Sequence, residues 1–218
     1  MPPSTAAVNA LMPARKPMCG LITPYCMLIS TAAMAASAVL LLSGCAGADP
    51  GPSSSAGSDQ SLLTEHGLDG LDAREIIKRL DTMPVTDRST EPMAAIKTDE
   101  LVLTDNQNNQ TTLPMPKEDF YVSVAPYTEQ THECYFHSLT TCKGELSDTE
   151  VRIVLTNADG DVLINEVRRT FDNGFVGIWV PRGIEGTLTV KHEGSEGTVD
   201  VSTRGQDDPT CITSLHLA

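Results

Sequence analysis

The chain has 218 residues, with 15 Lys and Arg against 29 Asp and Glu, and a formal net charge of −14. A surface this acidic argues against nucleic-acid binding and against a basic face that binds membranes. The length is sufficient for one or two domains. We therefore expect no nucleic acid among the partners of this protein.

Residues 1–44 have the pattern of a secretory signal peptide. Arg15 and Lys16 precede a long apolar stretch, which ends in Leu42-Ser43-Gly44-Cys45. A positive flank, an apolar middle and small residues before a cleavage point favour a removable signal over a spanning helix. The ending resembles the bacterial lipobox, in which the cysteine takes a diacylglycerol and becomes the first mature residue. The alternatives are an ordinary signal peptide and a single-span anchor. We predict lipidation of Cys45, an extracytoplasmic location and a lipid anchor in the cell membrane.

The segment after the cleavage point is predicted to be a flexible tether, residues 45–61. It consists almost entirely of Ala, Gly, Ser, Pro and Asp, and such a composition cannot bury an apolar face. Removal of residues 1–44 takes away Arg15 and Lys16 but no acid, so the mature net charge falls from −14 to −16. This charge suits a soluble body that is held near a membrane by its lipid.

Residues 62–116 are predicted to form a small α+β domain. Asp72 and Glu75 have the spacing of a helix capping box, and Ile76, Ile77 and Leu80 then fall on one helical face. Pro84 ends this helix. Short apolar stretches bounded by turn-forming residues predict strands at 95–104 and 110–113.

Residues 117–218 are predicted to form a β-rich domain. Asn157-Ala-Asp-Gly160 is a hairpin signal, and Asp172-Asn-Gly174 is a second turn. Short strands at this spacing are typical of an antiparallel β-sandwich or a small barrel, with Trp179 in its core. The predicted strands cover residues 120–126, 151–156, 162–170, 175–180, 187–192, 198–203 and 211–217.

A group of soft and borderline metal ligands occupies one short segment of the β-rich region. His132, Cys134, His137 and Cys142 lie within eleven residues, and Cys211 follows near the C-terminus. Thiolate and imidazole together favour copper or zinc over the hard ions that prefer carboxylates and water. Histidines beside cysteines therefore indicate a metal site.

A structural disulfide is the alternative interpretation of these cysteines, because exported proteins meet an oxidising environment. A bond between Cys134 and Cys142 would close a small loop and stabilise it modestly. Three mature cysteines besides Cys45 cannot all pair within one chain. At least one of them must therefore be free, metal-bound or bonded to another molecule.

Four stretches of the sequence together resemble the CueP family. They are YVSVAPY at 121–127, THECYFHSLTTCKGE at 131–145, NGFVGIWVPR at 173–182 and TCITS at 210–214. The resemblance implies an extracytoplasmic copper-binding protein with three characteristic cysteines, which Cys134, Cys142 and Cys211 match. It further implies copper storage or delivery, thiol-dependent reduction of Cu(II) to Cu(I) as an accompanying activity, two domains, and room for a homodimer.

This resemblance and the odd cysteine count predict that Cys134, Cys142 and Cys211 converge on one Cu(I) ion per chain. His132 or His137 is expected to be the additional ligand, and a metal-recipient protein is an expected partner. Two other functions stay open. One is a cupredoxin-like electron carrier, because the spacing from Cys134 to Cys142 loosely resembles a blue-copper ligand loop. The other is a lipoprotein interaction domain in which disulfides are structural and no metal binds.

Overall fold

The structure is a computed structural model that describes residues 61–218. The predicted signal peptide, the lipidation site Cys45 and all but the last residue of the predicted tether lie outside the described residues. Residues 61–65 are helical. They are followed by helix α1, Ala73–Asp81, and by a short 3-10 turn, Val85–Asp87. Within residues 61–218, no helix has the length and apolar character needed to cross a bilayer.

Helix α1 begins at the predicted capping box. The Asp72 carboxylate accepts a hydrogen bond from the Glu75 backbone N–H, and the Glu75 carboxylate accepts one from the Asp72 N–H, each at 2.9 Å. These two bonds satisfy backbone donors that the first helical turn leaves unpaired. The buried face of the helix carries Ala73, Ile76, Ile77 and also Asp81, the last helical residue.

Eleven strands follow among the described residues, and they form three sheets with the orders β3-β2-β1-β5, β10-β9-β6-β7 and β11-β4-β8. All pairings between strands are antiparallel except one, since β11 runs parallel to β4. The strands are β1 Met93–Ile96, β2 Glu100–Thr104, β3 Gln110–Pro114, β4 Asp119–Val124, β5 His137–Ser138, β6 Glu150–Asn157, β7 Val162–Arg169, β8 Val176–Pro181, β9 Glu185–His192, β10 Ser195–Ser202 and β11 Cys211–Ile212.

The second and third sheets share one apolar core. Strands β4 and β8 contribute alternate residues from one side, and β6, β9 and β10 contribute from the other. This arrangement is consistent with a β-sandwich. The prediction of mostly antiparallel strands with few helices is confirmed, while the parallel β11–β4 pair is a departure from it. The members of this core include Phe120, Val122, Val124, Ile153, Leu155, Ile178, Val180, Leu188 and Val190.

A second apolar cluster joins α1 to the first sheet. It contains Ile76, Ile77, Ile96 and Leu103, and Tyr121 of β4 belongs to it as well. Side chains alternate along a strand, so β4 presents Phe120 to one core and Tyr121 to the other. The boundary between domains at residues 116 and 117 stays a prediction.

Trp179 differs from the sequence prediction, because it is only partly buried. Its ring lies 4.8 Å from that of Tyr121 and packs at the border of the α1 cluster. The Arg74 guanidinium stacks over the indole at 3.9 Å from the ring centroid. This stacking covers one face of the indole with a cation.

Candidate metal centre

Three cysteines and one histidine converge where the first and third sheets meet. Ligand atoms of Cys134, His137, Cys142 and Cys211 all lie within 4.8 Å of one another. His137, Cys142 and Cys211 are buried, and Cys134 is partly exposed. The sulfurs lie against Ala125 and Phe175, in an apolar environment.

Backbone pairing brings these residues together from distant parts of the chain. Strand β5 places His137 opposite Ile96 of β1, and β11 places Cys211 beside Ser123 of β4. The hydroxyl of Thr210 connects these elements, because it accepts from the His137 N–H at 3.0 Å and donates to the Ile96 carbonyl at 2.6 Å. Thr210 is 1% exposed, so these bonds are made away from water. Burial of this kind makes an unpaired group costly, which keeps the two strands in register.

The cysteines are partly oxidised in this structure. Cys134 and Cys211 form a disulfide across 77 residues, and Cys142 is a free, buried thiol. The Cys142 sulfur lies 3.4 Å from the Cys134 sulfur and also accepts from the Ser138 N–H at 3.4 Å. A disulfide is therefore present, but it joins Cys134 to Cys211 rather than to Cys142, the partner considered from the sequence.

The ring of His137 is held by a buried carboxylate. Its Nε2 lies 3.2 Å from Asp81, and its Nδ1 faces Cys211 at 3.8 Å. Both residues are almost fully buried, with side-chain exposures of 0% for His137 and 1% for Asp81. A carboxylate on one ring nitrogen fixes the orientation of the other nitrogen, as in many metal-ligating histidines. Nδ1, the ring nitrogen that does not contact Asp81, therefore points to the sulfurs.

Two further groups complete the surroundings of Asp81. The Tyr121 hydroxyl donates to the carboxylate at 2.5 Å, and the Asn173 amide lies at 3.4 Å. Gly177 makes room for the tyrosine, since a Cβ at that position would lie 1.6 Å from the Tyr121 hydroxyl oxygen. Asp81 thus has three hydrogen-bonding partners, as a buried charge requires.

The pKa values indicate a buried ion pair. Burial alone would lower the pKa of His137, but hydrogen bonds and charges from Asp81 and Cys142 raise it to about 9. Burial raises the pKa of Asp81, yet the hydrogen bond and charge of His137 hold it below its usual value. Burial and the neighbouring Asp81 raise the pKa of Tyr121 well above 10, so its hydroxyl keeps its proton and donates. His137 is therefore cationic and Asp81 anionic near neutral pH.

The charge of His137 also lowers the pKa of the Cys142 thiol. Burial raises its pKa, but hydrogen bonding and charge from His137 outweigh burial, and the net pKa is lowered. The thiolate is the form that binds metals and reacts as a nucleophile. The free cysteine of the cluster is therefore favoured in its reactive form.

His132 lies outside the cluster of four ligand atoms. It is exposed, and its ring makes an edge contact with Phe175 at 6.1 Å between centroids. Phe175 also contacts His137, at 4.7 Å. The loop that carries His132 is fixed by Glu145, whose carboxylate accepts from the N–H groups of residues 128, 129 and 130, each at 3.0 Å.

Asp81, Tyr121 and Thr210 were not identified from the sequence as part of the site. For Asp81 a signal was present, because it lies four residues after Ile77 on the apolar face of α1. An acid on that face, at the helix end that disfavours negative charge, indicates a buried partner. Tyr121 and Thr210 lie within the stretches at 121–127 and 210–214 that resemble the CueP family, but nothing in the local pattern assigns either residue to the site.

Comparison with known proteins agrees with this geometry. Residues 75–216 match the family described as "Periplasmic copper-binding protein CueP". The solved structure described as "Crystal Structure of S.CueP" has 34% sequence identity and a TM-score of 0.69, and the match covers 74% of this chain and 98% of that one. No curated protein matches the chain. The family match includes Asp81 and all four residues of the cluster. The chain belongs to the CueP family of periplasmic copper-binding proteins.

Proposed function

We propose that this protein binds Cu(I) through the thiolates of Cys134, Cys142 and Cys211, with His137 as the additional ligand. The observation that carries the proposal is the convergence of these four ligand atoms within 4.8 Å in a chain of a copper-binding family. His132 is proposed as an auxiliary donor that captures copper at the exposed loop and passes it inward.

The donor set fits a soft, monovalent ion. Thiolates select Cu(I) over harder cations, and imidazole is also an acceptable ligand. Ala125 and Phe175 pack against the buried residues Cys142 and Cys211, which limits the contact of these two ligands with solvent. The disulfide between Cys134 and Cys211 must be reduced before all three sulfurs can bind. His137 must also release a proton, because only the neutral imidazole binds a metal.

We further propose that the thiols reduce Cu(II). Two thiolates that join in a disulfide release two electrons, which convert two Cu(II) ions to Cu(I). The bond between Cys134 and Cys211 is the expected product, with Cys142 left as a thiol. A fully reduced chain mixed with excess Cu(II) should yield two Cu(I) per chain, measured with a chromophoric Cu(I) chelator, and the Cys134–Cys211 peptide should appear in digests.

The central test of copper binding uses reduced, metal-free protein. Cu(I) competition titration should give one ion per chain, and Cys134→Ser, Cys142→Ser and Cys211→Ser should each weaken binding by more than the roughly 10- to 100-fold typical of outer partners. His66→Ala, a histidine outside the cluster, is the control and should bind as the unmodified protein does. Normal affinity in Cys211→Ser would remove Cys211 from the site.

Sequestration or delivery of Cu(I) at the membrane surface is the proposed cellular role. The lipobox-like ending at Cys45 supports tethering, and the CueP resemblance supports both a metal-recipient protein and a homodimer. Cys45→Ala should release the protein from membranes or block its maturation. A processed Cys45→Ala protein that stays in the membrane fraction would contradict the anchor, and sedimentation of the mature chain tests the dimer.

The cupredoxin-like function is less well supported, because the cluster among the described residues contains one histidine and three cysteines. Blue-copper sites use two histidines, one cysteine and a weak axial ligand. An intense blue colour with Cu(II) would support that alternative. A protein without metal affinity in its reduced state would instead indicate an interaction domain with a structural disulfide.

A further inference from the structure

The free cysteine of the cluster touches the disulfide formed by the other two. The Cys142 sulfur is 3.4 Å from the Cys134 sulfur, which is already bonded to Cys211. The separation is that of van der Waals contact between sulfurs. A linear array would place the Cys142 and Cys211 sulfurs about 5.4 Å apart, whereas all the ligand atoms lie within 4.8 Å of one another. The three sulfurs are therefore bent, and a cysteine side chain must rotate to align them before Cys142 can attack. Thiol–disulfide exchange proceeds by such an attack of a thiolate on one sulfur of a disulfide.

We infer that this protein is an internal disulfide isomerase of its own cluster, in which Cys134 exchanges its bond between Cys211 and Cys142. The Cys142 thiolate attacks the Cys134 sulfur, the Cys134–Cys211 bond breaks, and Cys211 leaves as a thiolate. One disulfide and one thiolate are present before and after the step. The exchange therefore needs no external oxidant or reductant.

Local geometry supports both bonded states. Cys134 and Cys142 lie on either side of the short strand β5, whose Ser138 N–H already donates to the Cys142 sulfur at 3.4 Å. Cys211 lies in β11, which pairs with β4, and the Cys211 N–H donates to the Tyr135 carbonyl at 3.1 Å. All three sulfurs lie within 4.8 Å of one another, so either bond joins neighbouring side chains.

The cysteine that both bridges share is also the most exposed of the three. Cys134 is partly exposed, whereas Cys142 and Cys211 are buried, with exposures of 9% and 3%. Cys134 lines an open groove with Tyr135 and Pro209, and the buried Cys211 lies at the same groove. An external thiol that reaches Cys134 therefore gains access to whichever buried cysteine is bonded to it. Because of the exchange, an external thiol can reduce either disulfide by attack at Cys134.

The test uses oxidised, copper-free protein at pH 8. The exchange is stopped with acid and denaturant, free thiols are alkylated, and the peptides are mapped without reduction. We expect two bridged species. One has the Cys134–Cys211 bond and label on Cys142, and the other has the Cys134–Cys142 bond and label on Cys211. Each should account for about a tenth of the molecules or more, because both bonds join adjacent sulfurs. Oxidised Cys211→Ser should contain the Cys134–Cys142 bridge. Oxidised Cys142→Ser, the matched control, should contain only the Cys134–Cys211 bridge, with no label on either of these two cysteines.

Label confined to Cys142 in the unmodified protein, or a Cys211→Ser protein that stays unbridged after oxidation, would overturn the inference. The assay contains no copper, so its result is independent of the proposed function. A single fixed disulfide would leave Cu(I) binding by the reduced chain intact. Exchange without copper affinity would leave the isomerisation standing and remove the copper centre.

Discussion

Replacement of Asp81 by asparagine removes the charge that keeps His137 protonated in the protein interior. Asparagine has nearly the same shape and can still accept from Tyr121, so packing around the end of α1 is retained. The hydrogen bond to Asp81 is the largest of the contributions that raise the pKa of His137. Without Asp81, the hydrogen bond and charge of Cys142 alone oppose burial; we expect burial to outweigh them and the pKa of His137 to fall below the ordinary value of 6.5.

The magnitude follows from the pKa of His137. A rise from 6.5 to about 9 corresponds to about 3 kcal/mol of folding free energy. The pKa is higher in the folded state, so this stabilisation is fully present below pH 6.5 and is lost as the pH rises through about 9. The unmodified protein should therefore exceed Asp81→Asn in stability by about 3 kcal/mol at pH 6, and the difference should narrow towards pH 9.

Two measurements check this prediction on the oxidised, copper-free chain. The His137 ring proton should titrate near pH 9 in the unmodified protein by NMR and below 6.5 in Asp81→Asn. Urea unfolding at pH 6 and pH 9 gives the two free-energy differences. Asp69→Asn, at an exposed position before α1, is the matched control and should change neither quantity. A stability difference that is independent of pH, or an unchanged His137 titration, would refute the ion pair.

Two other predictions concern residues that hold the cluster in place. Thr210→Val should destabilise the fold by about 1–3 kcal/mol, because the buried His137 N–H and Ile96 carbonyl lose their shared partner, whereas Thr210→Ser keeps the hydroxyl and should cost less; equal urea midpoints for the two variants would contradict this role. Hydrogen bonds from the N–H groups of residues 130 and 129 lower the pKa of Glu145 to about 2. The stabilisation of the loop by the Glu145 carboxylate should therefore be present above pH 4.5 and be lost as the pH falls through about 2. Glu145→Gln should speed amide exchange at residues 128–130 at neutral pH, and unchanged exchange there would show that the charge does not order the loop.

The elements that local patterns determine were predictable from the sequence. Asp72 and Glu75 marked the start of α1, and Asn157 and Gly160 marked the hairpin between β6 and β7. Each depends on side chains and turns within a few residues of one another. The predicted strand at 95–104 is instead a hairpin of two strands, β1 and β2, because the Lys97 N–H donates to the Glu100 carbonyl and reverses the chain.

The contacts that make the site could not be predicted, because they join residues far apart in the sequence. Asp81 meets His137 across 56 residues, and Cys134 meets Cys211 across 77. The choice of Cys211 over Cys142 as disulfide partner depends on the parallel β11–β4 pairing, which strand patterns do not specify. The family resemblance identifies the three cysteines, whereas the role of Asp81 follows only from its contact with His137 of β5.

X-ray absorption at the copper edge of the reduced, Cu(I)-loaded chain tests the proposed copper centre most directly. The account predicts a first shell dominated by sulfur with one nitrogen donor. It also predicts that the sulfur contribution falls in each of Cys134→Ser, Cys142→Ser and Cys211→Ser and stays unchanged in His66→Ala. A shell of nitrogen and oxygen alone, or a sulfur shell that none of the three cysteine variants alters, would contradict it.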